Sequence, residues 1–137
     1  MRVAFAPGVV APRHNHPGEE IVYEVEGSYL TPEGVARDFA QDLPARETRV
    51  MAVTQGPIFG KTFDERVTNT VWKSKPSWFI VAEKDRMIQP DLERAMAKKI
   101  NAKITTLPTS HVPMLSRPND VATVILAAVT AVKQKDI

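Results

Sequence analysis

Three residues near the start of this chain have the types and spacing to do chemistry: His14, His16 and Glu20. His14 and His16 are two positions apart. On a strand that spacing turns both imidazoles to one face, because side chains alternate with period 2. Glu20 follows the Pro17-Gly18 turn and could return on the neighbouring strand. Two imidazoles and a carboxylate suit a divalent metal such as iron, manganese, zinc, nickel or copper, with water in a further position. Asp85 lies in a polar turn, Glu83-Lys84-Asp85-Arg86, after one predicted strand, and His111 follows the next. A carboxylate at one strand end can hold an imidazole at the next in a single tautomer and stabilise its protonated form. That arrangement makes a general base.

The elements that must position these residues read as follows. Ile21 to Val25 (IVYEV) is β-branched and aromatic and ends near Gly27, so the first 27 residues read as β-hairpin material. Thr31-Pro32 opens a helix over 32–43, with Val35, Phe39 and Leu43 at helical spacing. Pro44 opens a second helix through Thr54, with Val50, Met51 and Val53 partly buried, and Gly56-Pro57 stops it. Phe59, Phe63, Val67 and Val71 recur every four residues and predict helix in part of 58–72.

The last third is a strand–helix–strand–helix series. Ser77 to Ala82 (SWFIVA) is an apolar run typical of a buried parallel strand. Asp91 to Ile100 predicts a helix with Leu92, Ala95, Met96 and Ile100 on its apolar face, closed by Asn101. Lys103 to Leu107 predicts a short strand. Pro118 to Val132 predicts a helix with Val121, Val124, Ile125, Ala128, Val129 and Val132 in one stripe. The expected class is α/β: a small, mostly parallel sheet with helices packed on it and an N-terminal β-hairpin, in a single domain.

Two families are brought to mind by these residues. Gly8, His14, His16, Glu20 and Gly27 stand in the pattern G-x5-H-x-H-x3-E-x6-G, which resembles the first metal-binding motif of cupins. The resemblance implies a divalent metal on His14, His16 and Glu20. The runs KPSWFIVAEKDRMIQPDLERAMAKKI and ITTLPTSHVPMLSRPNDVATVI resemble the C-terminal half of an esterase-like α/β-hydrolase. That resemblance extends upstream to about residue 30 and implies Asp85 and His111 as the acid and base of a catalytic triad. The chain thus reads as a join of a cupin fragment, 1–29, and a hydrolase half, 30–137, near residues 27–31. It departs from both patterns. The P-x-G-x2-H run of a second cupin motif is absent, and so is the G-x-S-x-G turn that carries a hydrolase nucleophile.

Composition narrows the classes further. With no cysteine, disulfides, thiolate nucleophiles and Cys-ligated zinc are excluded. Net charge is +2, with acids and bases interspersed, which argues against a nucleic-acid surface. No apolar window has the length of a membrane span, and a cytoplasmic location is expected. Three functions stay open: a hydrolase acting on carboxylic esters or related small molecules through Asp85 and His111, a small metal-binding protein, and a non-catalytic remnant. Weak or no ester turnover is expected, because losing even one oxyanion donor costs about 10²–10³ in rate. A homodimer is expected to cover the open sheet edge.

Overall fold

Proline and asparagine set the clearest element boundaries in this chain. The computed structural model describes residues 21–24, 27–58, 64 and 66–134. The chain divides into two compact units, Met1–Val67 and Thr68–Ile137.

In the first unit, β1 (Ile21–Glu24) pairs antiparallel with β2 (Gly27–Leu30), and Ile21 stands opposite Leu30. The hairpin therefore straddles the region where the sequence changes character, and Gly27–Leu30 is itself a strand. Thr31 caps the next element, its Oγ1 accepting from Gly34 N at 3.0 Å. Pro32 stands at the start of that element, α1 (Pro32–Gly34), where its missing N–H costs nothing. A π-helical turn, Val35–Phe39, follows at once and carries Val35 and Asp38 inward. The expected helix to Leu43 is cut short here. Asp is a poor helix former, and Leu43 precedes Pro44, which disfavours the α region.

The second helix, α2, spans Ala45–Thr54. Its buried residue is Thr48. Val50 and Val53 were expected to be partly buried, but they are exposed, at 52% and 82%. Gln55 leaves helical space, and its side-chain amide reaches back to β2. It accepts from Leu30 N at 2.8 Å and donates to Leu30 O at 2.7 Å.

The second unit opens on a single 3₁₀ turn, Val71–Lys73. The helix expected within 58–72 is not found among the described residues. Val67 and Val71 are both exposed, so their spacing marks no buried face. Phe59 and Phe63 lie outside the described residues.

The strand–helix–strand–helix series is present. β3 (Trp78–Ala82) pairs in parallel with β4 (Lys103–Leu107), from Trp78 opposite Lys103 to Ala82 opposite Leu107. At the start of the pair, Lys103 Nζ lies 5.6 Å from the centre of the Trp78 ring. The crossover helix α3 (Pro90–Lys99) ends in a left-handed residue, Asn101, at φ 52°. Asn101 N bonds Lys98 O and Ala102 N bonds Ala97 O, which is the Schellman closure of a helix. A short α4 (Pro113–Ser116) leads into α5 (Pro118–Lys133). The core of this unit holds Val81, Ala82, Ala97, Leu107 and Val112.

Two helix faces differ from the sequence reading. On α3 the buried residues are Glu93 and Ala97, and Leu92 is 54% exposed. The inward stripe is rotated by about one residue from the expected one, because a buried carboxyl lies on it. On α5 no residue is fully buried, and Ile125, Val129 and Val132 of the expected stripe are exposed.

Candidate functional site

The end of the β3–β4 pair continues as a ladder past the two strands. Glu83 N bonds Leu107 O at 2.9 Å, and Lys84 N bonds Thr109 O at 3.0 Å. These bonds tie the segment bearing Asp85 to the segment bearing His111. Asp85 follows directly, and its own N–H closes a turn on Ala82 O at 3.1 Å. On the other side, Thr109, Ser110 and Val112 are buried around His111. Neighbours locked by burial leave the imidazole little freedom to drift.

The structure brings Asp85 and His111 together. His111 Nδ1 lies 2.7 Å from Asp85 Oδ2. The Asp85 carboxylate is fully buried, and the imidazole is 31% exposed. Asp85 Oδ1 is also held, accepting from Met87 N at 2.7 Å and Ile88 N at 3.1 Å. An Asp that captures amides two and three residues on makes its own turn. One oxygen therefore anchors the loop and the other faces the imidazole. Burial pushes this carboxyl up. The His111 hydrogen bond, the Ile88 and Met87 amides and the His111 charge outweigh it, and Asp85 sits below the ordinary carboxylate range. A buried anion against Nδ1 favours the tautomer with the proton on Nδ1. Proton exchange with a reacting group then falls to Nε2.

A further carboxyl stands beside this pair. Glu93, buried on α3, accepts from Ala82 N at 2.7 Å with Oε2. Burial is the largest influence on it and raises it. The Ala82 amide opposes this, the charge of Asp85 and a hydrogen bond with it add to the rise, and the His111 charge opposes again. The net position is above the ordinary value. Sequence reading did not single out Glu93. The signal that could have found it is its position four residues before Ala97 and three before Met96, on one side of the helix.

The residues proposed for metal binding, His14, His16 and Glu20, lie outside the described residues. Among the described residues no three His, Asp or Glu side chains group to hold a metal ion. No helix of the described residues is long and apolar enough to cross a membrane.

Comparison with known proteins agrees with this architecture. The model of the alpha/beta hydrolase family matches residues 2–124. The match begins at residue 2 and runs past 27–31, so it lends the expected cupin junction no support. Among solved structures, the crystal structure of polyneuridine aldehyde esterase is similar, with a TM-score of 0.66 at 15% identity. The alignment covers 82% of this chain and 49% of that one, so the chain spans about half the length of that esterase. At this identity the likeness shows the α/β-hydrolase fold. No curated protein matches the chain.

Proposed function

Since the chain belongs to the α/β-hydrolase family, we propose that Asp85 and His111 form the acid–base half of a hydrolytic site for carboxylic esters. The observation that carries this reading is the 2.7 Å contact between His111 Nδ1 and a fully buried Asp85 carboxylate. His111 Nε2 takes the proton of the attacking hydroxyl or water and returns it to the leaving alcohol. Asp85 orients the ring and stabilises its charged form without itself taking the proton. Structural likeness to an esterase adds to this reading through the fold alone.

The nucleophile is not assigned, since the chain carries no G-x-S-x-G turn. Slow hydrolysis of a short-chain chromogenic ester is the expected activity. The rate should rise as the imidazole loses its proton and vanish in His111→Ala. A rate that survives His111→Ala unchanged would remove His111 from the chemistry. The N-terminal histidines read as metal ligands lie outside the described residues.

A further inference from the structure

Glu93 is a buried carboxyl that a general acid–base pair does not by itself require. It lies on α3, one crossover away from both strand ends, yet it binds the last residue of β3. Ala82 is gripped twice at this point. Its N–H goes to Glu93 Oε2 at 2.7 Å, and its carbonyl takes the Asp85 N–H at 3.1 Å. We propose that Glu93 is a positioning residue, which clamps the end of β3 through Ala82 so that the turn closed on Ala82 O keeps the Asp85 carboxylate turned toward His111.

Burial and the Asp85 charge raise Glu93, and the His111 bond and two backbone amides lower Asp85. The two carboxyls are thus pushed in opposite directions. The charged groups acting on Glu93 are Asp85 and His111, from the loops that follow β3 and β4. Glu93 Oε2 accepts from Ala82 N. A glutamine could reproduce this bond with its side-chain carbonyl. An aliphatic residue could not.

This role rests on the proposed use of Asp85 and His111 as an acid–base pair, but its readouts need no turnover, so the two can fail separately. The proton affinity of His111 is followed by NMR of its imidazole, identified by its loss in His111→Gln. In Glu93→Gln the affinity should stay within about twofold of wild type. In Glu93→Leu it should fall about tenfold, one pKa unit, as Asp85 loses its fixed orientation. An unchanged His111 in Glu93→Leu would overturn the role. If Glu93→Leu does not fold, Glu93→Gln still decides, since a large change of His111 in Glu93→Gln would assign Glu93 as an anion rather than a clamp.

Discussion

Each unit of this chain ties together elements far apart in sequence with short polar contacts, but with different chemistry. In Met1–Val67 the tie is Gln55 to Leu30, 25 residues apart, at 2.8 and 2.7 Å. In Thr68–Ile137 it is Asp85 to His111, 26 residues apart, at 2.7 Å. The first joins a neutral amide to backbone. It has no proton to give up, so it can only hold. The second joins a carboxylate to an imidazole. It holds equally well, and its charge can change with the protonation of the ring. Similar separations and distances thus build a neutral brace in one unit and a titratable pair in the other. The side-chain types decide which.

The sharpest way to break this contrast is to remove each tie and measure rate. Asp85→Asn keeps the shape but disfavours the tautomer needed at His111, and ester turnover should fall by about 10³–10⁴. Gln55→Ala should leave turnover within about twofold. A comparable loss in both would mean that Asp85 is no more than another brace.

Stability should reverse the order. Gln55→Ala strips two hydrogen bonds from part-buried Leu30 and should cost about 2 kcal/mol, at about 1 kcal/mol per bond, in urea denaturation. If Gln55→Ala costs nothing, the Leu30 groups find water, and the brace is dispensable.

The pH dependence of thermal unfolding separates the two carboxyls of the second unit. Asp85 lies below its ordinary 3.8, so its contribution is present above that pH and is lost as pH falls through the folded value. Glu93 lies above its ordinary 4.5, so its contribution is complete below that pH and is lost as pH rises through the folded value. Asp85→Asn should therefore flatten the acid limb. Glu93→Gln should gain stability relative to wild type as pH rises above 4.5. A Glu93→Gln curve parallel to wild type across that range would show that Glu93 pays no penalty for ionising in the fold.

The smallest expected effect is on assembly. Helix α5 exposes Ile125, Leu126, Val129 and Val132. We expect a homodimer at micromolar concentration by light scattering, weakened several-fold by Leu126→Lys. A monomer would refute it.

Much of the second unit was legible in advance. The strand Lys103–Leu107 and the helix starts at Pro90 and Pro118 stand where the sequence places them, because proline, asparagine and short apolar runs act through local backbone physics. The hairpin was legible only in its first arm. Gly27–Leu30 carries too few β-branched residues to declare itself and becomes a strand by pairing with Ile21–Glu24. Of the spacing Phe59, Phe63, Val67 and Val71, only the last two lie among the described residues, and both are exposed, since apolar spacing states what a helix could bury and not that a helix forms.

By itself the sequence determined that an acid would follow one strand and a histidine the next, because strand ends and turns are written in nearby residues. Only the tertiary structure decided that Asp85 and His111 meet at 2.7 Å, that Asp85 is fully buried, and that Glu93 turns inward to join them. The reason is that a charged side chain is placed on the surface by any local rule. It stays buried only when partners distant in sequence satisfy it. Ala82 N supplies one such partner for Glu93, eleven residues away, and His111 supplies another for Asp85.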